Sequence, residues 1–432
     1  MYCSFLRNKQ IYFLLLLVGF SLTAAGPSQQ TAGDLASKSD AYLTAFVPQG
    51  FSGAVLIAQN GQIILEKGYG LAEQEGERPF TADTPFLIGS ISKQFTAAAI
   101  LHLEMQGLLQ TSDPINLYLP GVPPEKEEIT LHQLLTHTAG LPQHHAESDF
   151  EPLTREEALT LIFNRPLGFR PGSAYAYSDA GYVVLAAIIE RVSGRPFTEY
   201  LLENLFEPVG LVNTRFYDDG LWQTTPVAHG YYNGRDIGSP AEWPGPYWSL
   251  LGAGGIVSTV GDLFRWQQAL QQHTILPADL TEKLWTPYVN INEGTAYGYG
   301  WQISQTEYGG QLIWHVGAGR AHNAEFRYFP ERETVIIIGS NRINDAYRGI
   351  GRLYETFDEV IYANEIGKTL SRNVLNNDFT LQPDLTLPKG LFIPLPEFVA
   401  AVTLFLLLLA IVVWRRHRQR LIVENQNRPM VQ

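Results

Sequence analysis

The sequence predicts an α+β fold: an antiparallel sheet flanked by helices and assembled from both ends of the chain, with a mostly helical region inserted between them. Three observations predict it. Residues 53–70 hold two apolar runs joined at Asn60-Gly61, the residue pair suited to a tight hairpin. Residues 300–304, 311–315, 324–329 and 334–339 have strand character and are separated by short gaps such as 330–333, which argues for antiparallel neighbours rather than βαβ units. Residues 108–255 offer helical candidates divided by Pro and Gly, and no comparable strand pairs.

At the N-terminus, Arg7 and Lys9 precede an apolar run over 11–22, and the small residues Thr23, Ala24 and Ala25 come next. That order reads as a signal peptide over 1–25 with cleavage near Ala25; an uncleaved anchor is the alternative, and either version exports the residues C-terminal to it. A polar segment over 26–44 leads into the domain. After the hairpin, Ser90 opens an alanine-rich helix that stops at Gly107. Further helices are expected over 131–135, 155–163, 180–192 and 197–205. Thr259, with Asp262 three residues on, resembles a cap for a helix through Leu270. A terminal helix over about 346–362 closes a domain of 45–365.

Residues 366–391 hold Asn373, Asn376, Asn377, Pro383 and Pro388 without clear periodicity and read as a tether. An apolar run over 392–414 is long enough to cross a hydrocarbon core of roughly 30 Å. Arg415, Arg416, Arg418 and Arg420 succeed it, so the tail over 415–432 is expected in the cytoplasm. The reading is a single-pass protein of a bacterial-type cytoplasmic membrane, with the bilayer as a partner and the domain on the periplasmic or extracellular side. A buried core helix is the alternative for 392–414.

Composition narrows the chemistry. The only cysteine, Cys3, lies in the expected leader, so the exported chain has no disulfide and no thiol nucleophile. The net charge is −13, and setting aside the basic ends leaves 23 basic and 42 acidic residues, or −19. An acidic exterior argues against nucleic acid as a partner. The sequence has neither a Gly-x-Gly-x-x-Gly run nor a Gly-Lys-Ser/Thr phosphate loop, so no nucleotide cofactor is expected. His144-His145 with Glu147 reads as a solvated loop and not as a metal site, because adjacent histidines point apart in regular structure.

Three short elements carry reactive groups. Ser90-Ile91-Ser92-Lys93 places a hydroxyl and an amine one helical turn apart, and a neutral lysine can take a serine proton. By itself the pattern also fits a helix cap and a solvated charge. Tyr177-Ser178-Asp179 lies just before the 180–192 helix, where a phenol can pass a proton; a packed aromatic is the plainer alternative. His315-Val316-Gly317 ends a strand. There Gly317 leaves room for a substrate backbone, the amides of Ser90 and Ala318 could face an oxyanion, and His315 would supply a donor and a part-time positive charge. A structural histidine before a turn glycine fits the same residues. Arg320 could meet a substrate carboxylate or make a surface ion pair, and Trp243, Tyr247, Trp248 and Trp314 are candidate cleft aromatics.

In order and spacing these elements resemble the penicillin-binding-protein and serine β-lactamase family, especially its class C-like esterase and D-aminopeptidase branch. The resemblance covers about 45–365 and includes residues 86–93, Leu134-Leu135-Thr136-His137-Thr138-Ala139-Gly140-Leu141, and Gly254-Gly255-Ile256-Val257-Ser258-Thr259. It implies a β-lactamase/transpeptidase-like fold and a serine hydrolase working through an acyl-enzyme. Ser90 is then the nucleophile, Lys93 its proton acceptor and Tyr177 the proton shuttle. Asp179 stands where the family's tyrosine-x-asparagine element has its amide, and His315 where many penicillin-binding proteins have lysine. The second departure weakens a penicillinase reading. Peptide-like amides, D-amino-acid-containing or from the cell wall, are the expected substrates, with esters next and a non-turning-over acyl sensor or scaffold as the non-enzyme alternative.

Overall fold

The structure is a computed structural model that describes residues 27–307, 309–343 and 362–379. Its centre is an 8-stranded antiparallel sheet in which strand Gly53–Gln59 lies between its hairpin partner Gln62–Tyr69 and strand Thr334–Ser340. Beyond Thr334–Ser340 lie His322–Phe329, Gln311–Gly319, Gln302–Gln305, Thr295–Tyr297 and Val289–Asn292 in turn. The sheet is therefore assembled from both ends of the chain, as the spacing of the apolar runs predicts. Asn60 and Gly61 carry the expected turn with φ of 51° and 72°. The outermost pair, Val289–Asn292 with Thr295–Tyr297, lacks the dense β-branched runs of its neighbours and is not anticipated from sequence.

Period-two burial divides the first strand between two cores. Ala54, Leu56 and Ala58 face the larger one, and Val55 and Ile57 the smaller. On the larger side sit α2 (Lys93–Met105), α5 (Asp179–Ser193), α7 (Val260–Gln271) and α8 (Ala278–Trp285), with α3 (Leu131–Leu135), α4 (Arg155–Asn164) and α6 (Phe197–Leu201) packed beyond them. Helix α2 is buried on every side from Lys93 to Leu101, which explains its run of alanines: close neighbours leave no room for longer side chains. Helices α3 and α4 start with reciprocal capping boxes at Thr130 and Thr154, and Thr259 caps α7 by accepting from the Asp262 N–H at 3.2 Å.

Two stretches depart from the sequence expectation. Residues 26–44 are not merely a polar lead-in: α1 (Pro27–Thr44) lays Leu35, Tyr42 and Leu43 into the smaller core. The 366–391 tether begins too early, because α9 (Tyr362–Asn376) buries Ile366, Leu370 and Val374 on the same face. These three apolar residues, one helical step apart, lie among polar neighbours that hide the stripe from a composition-based reading. The middle region also contains short strand pieces, Arg215–Phe216, Tyr231–Tyr232 and Arg235–Asp236, and Ile256–Ser258 comes just past it, each too brief to register as an apolar run. The signal peptide, the 392–414 span and nearly all of the 346–362 helix lie outside the described residues; among the described residues no helix is long and apolar enough to cross a membrane.

Candidate active site

Ser90 stands in a tight turn, Gly89–Ser92, that runs directly into α2. The turn is pinned on two sides. Phe86–Leu87 pairs with Ile256–Ser258, and the Ile88 N–H donates to the Ile256 carbonyl at 3.0 Å. On the other flank the Gln311–Gly319 strand comes so close that a Cβ on Gly317 would stand 1.8 Å from the Ile88 carbonyl oxygen, and one on Gly89 would stand 2.5 Å from Ala318 N. Gly317 thus makes room for the Ser90 turn and not, as expected, for a substrate backbone. The same seam holds the two amides singled out from sequence, since Ser90 N lies 3.1 Å from the Gly317 Cβ position.

Lys93 opens α2 with its side chain fully buried. Its Nζ donates to Ser90 Oγ at 3.1 Å and to the Ala253 carbonyl at 2.9 Å, and it pairs with Asp179 Oδ1 at 2.6 Å. The Tyr177 and Tyr182 rings lie 4.8 and 5.6 Å from the same nitrogen. Burial pushes the amine below the ordinary lysine range, and the Asp179 charge opposes that shift. Burial would raise the Asp179 carboxyl, but the Lys93 charge and hydrogen bonds from His144 and Lys93 outweigh it and hold the group well below the usual carboxylate range.

Tyr177 is aimed by its neighbours. Ser178 caps α5 by accepting from the Gly181 N–H at 3.0 Å, and its own N–H donates to His137 Nδ1 at 3.0 Å. The His137 ring packs 4.3 Å from the Tyr177 ring. Burial, then the Asp179 charge, pushes Tyr177 well above the ordinary phenol range, and the Ser90 side chain opposes that shift. Resting Tyr177 therefore keeps its proton.

His315 lies at 6.3 Å, ring to ring, from Tyr177. Its Nδ1 is 2.6 Å from the Val316 carbonyl, which can only accept, so Nδ1 carries the hydrogen and Nε2 accepts from the Tyr297 hydroxyl at 3.0 Å. Burial, then the Lys93 charge, pushes the imidazole down to about 3. The expected part-time positive charge is thus replaced by a neutral ring: a desolvated imidazole beside an ammonium does not hold a second proton.

Arg320, exposed and just past Ala318, stacks its guanidinium 3.7 Å over the Phe150 ring and 5.5 Å from Trp243. Trp314 does not line this cleft; it belongs to the smaller core, where Arg327 lies over it. Two contributors escape sequence reasoning. His137 lies in the 134–141 motif with no role assigned to it there, and its contact with Ser178 depends on a loop that bends back with φ of 58°. His144, expected in a solvated loop, has Nδ1 3.2 Å from Asp179 Oδ2.

Residues 40–355 match the family described as Beta-lactamase. The chain belongs to this family. It is 30% identical over 317 residues to penicillin-binding protein 4* of Bacillus subtilis, covering 69% of this chain and 70% of that protein. It is 29% identical over 270 residues to a teichoic acid D-alanine hydrolase of Staphylococcus aureus, covering 62% and 66%. Among solved structures, the penicillin-binding protein homologue from Pyrococcus abyssi superposes with a TM-score of 0.64 at 28% identity over 71% of this chain and 73% of that one. The protein is a serine hydrolase of the β-lactamase family, with the antiparallel sheet and helical layers of that fold.

Proposed function

We propose that this hydrolase cleaves peptide-like amides that carry D-amino acids or derive from the cell wall, by acyl transfer through Ser90. The observation that carries the reading is the buried Lys93 amine 3.1 Å from the Ser90 hydroxyl. Burial disfavours the charged form of this amine, and an amine that has lost its proton can take the one on the Ser90 hydroxyl. The teichoic acid D-alanine hydrolase among the relatives supports a D-alanyl acyl group.

In this reading Ser90 Oγ attacks the substrate carbonyl carbon and its proton passes to neutral Lys93, directly or through Tyr177. The amides of Ser90 and Ala318 face the oxygen as it becomes negative. Tyr177 then delivers a proton to the leaving nitrogen, the carbon–nitrogen bond breaks, and the acyl group stays on Ser90 as an ester. Water attacks that ester, gives up a proton through the same groups and frees Ser90. A neutral His315 supplies orientation through Tyr297 and no positive charge, which speaks against an anionic penicillin as the preferred substrate. Esters are a second substrate class, because an alkoxide leaves more readily than an amine and asks less of Tyr177.

The chain's setting belongs to the same proposal: export by residues 1–25 and tethering by 392–414 would place the cleft where cell-wall peptides are found. Incubating the purified full-length protein with D-alanyl amides, D-alanyl esters and L-enantiomers tests the substrate class. Ser90-dependent turnover of a D-alanyl amide is expected. Turnover of esters alone, or equal rates for both enantiomers, would contradict it.

A further inference from the structure

We propose that His144 is a positioning residue that governs the proton on Lys93 by competing with it for the Asp179 carboxylate. The inference rests on reading Lys93 as the proton acceptor for Ser90. Its basis is geometric: Asp179 Oδ1 faces Lys93 Nζ at 2.6 Å, and Oδ2 faces His144 Nδ1 at 3.2 Å. One side of this bridge is dry and the other wet, because the Lys93 side chain is 0% exposed and that of His144 is 41% exposed. A carboxylate thereby links a solvent-accessible imidazole to an amine that solvent does not reach.

The arrangement addresses a difficulty created by Asp179 itself. An amide in this place would leave Lys93 free to lose its proton, whereas a carboxylate beside it holds the ammonium form and blocks acceptance of the Ser90 proton. A cation on the second oxygen weakens that hold. The loop that presents His144 is fixed to the start of α5: Asp179 N–H donates to the Gln143 carbonyl at 2.9 Å and Ser178 Oγ donates to the Pro142 carbonyl at 2.7 Å. The hydrogen bond to Asp179 raises His144 above the ordinary imidazole range, with burial opposing it. The other charged and titratable groups facing it are Asp149, which favours its proton, and Lys93, which disfavours it. Neighbouring His145 is turned to the Trp248 carbonyl at 3.1 Å and is lowered by burial. Arg320 lowers Asp149.

The test is the pH dependence of Ser90 acylation by a fluorophosphonate probe in the full chain. His144→Gln is expected to move the rising limb to higher pH by about one unit, which is about a tenfold loss of rate below the limb. His144→Arg, which keeps a positive charge at this place, should restore the wild-type limb. In an Asp179→Asn background His144→Gln should move nothing. An unmoved limb in His144→Gln, a uniform loss at all pH values, or a shift that persists without the Asp179 carboxylate would overturn the proposal. Titration of His144 by nuclear magnetic resonance reads the coupling without acylation: Asp179→Asn should lower its midpoint, and an unchanged midpoint would also overturn it. If the wild type is never acylated, the hydrolase reading fails on its own, and the titration still decides whether the bridge is real.

Discussion

Lys93 Nζ and Asp179 Oδ1 form an ion pair at 2.6 Å inside the same pocket that brings Lys93 to Ser90. The proposed proton acceptor for Ser90 is thus part of a charge pair, and its two partners cannot be altered independently. Lys93→Met leaves the Asp179 carboxylate with His144 alone and should cost roughly 3–5 kcal/mol of stability. Adding Asp179→Asn should recover most of that loss while leaving turnover abolished. Urea denaturation of the two single variants and the double variant measures the coupling directly, and additive losses would contradict a pair.

Tyr177 keeps its proton in the resting site, as the proposed role of proton donor requires. Tyr177→Phe retains the ring contact with His137 at 4.3 Å but removes the hydroxyl. Turnover of an amide should fall by about 10²–10⁴-fold, and that of an ester with a good leaving group by much less. Comparing kcat/KM for the two substrates checks it; equal losses would assign Tyr177 a packing role only.

Gly317→Ala tests the seam between the Gln311–Gly319 strand and the Ser90 turn. The added methyl meets the Ile88 carbonyl oxygen 1.8 Å away, a backbone atom that cannot swing aside. Displacing the turn misplaces both amides, and kcat should drop by about 100-fold or more. A variant with unchanged kcat would show that the two amides do not work together.

His322 predicts an acid limb in stability. Among the described residues neither of its ring nitrogens has a hydrogen-bond partner, and burial pushes it down to about 3. The unfolded chain takes up this proton near the ordinary histidine value, so between that value and about 3 the unfolded state binds more protons and stability falls as pH falls. His322→Phe should flatten that slope by about 1.4 kcal/mol per pH unit. Denaturation at pH 7 and pH 5 provides the check. His315 and His137 are lowered in the same direction, so part of the slope should persist.

Much of the site is legible in the sequence because helix spacing alone brings Ser90 and Lys93 together, and an Asn60-Gly61 hairpin announces the first edge of the sheet. Assembly of the sheet from both ends is read from runs of β-branched residues, whose signal is local. The role of His144 is not legible: its partner Asp179 is 35 positions away, and a pair of histidines among polar residues carries no periodicity. The neutral state of His315 is equally hidden, because it depends on desolvation and on a Tyr297 hydroxyl from another strand. Helices α1 and α9 escape notice for a related reason. Each shows only one narrow apolar stripe, and the face that receives it is built by strands distant in sequence.

Ser90, with its hydroxyl 3.1 Å from a buried amine, is the residue on which the covalent intermediate must form if the chemistry is acyl transfer. Mass spectrometry of the intact protein after brief exposure to a D-alanyl ester, with peptide mapping of the adduct, addresses this point without intermediary assumptions. One added acyl group on Ser90, absent from Ser90→Ala, is the expected outcome; an adduct at another residue, or one that survives Ser90→Ala, would refute the assignment of Ser90 as nucleophile.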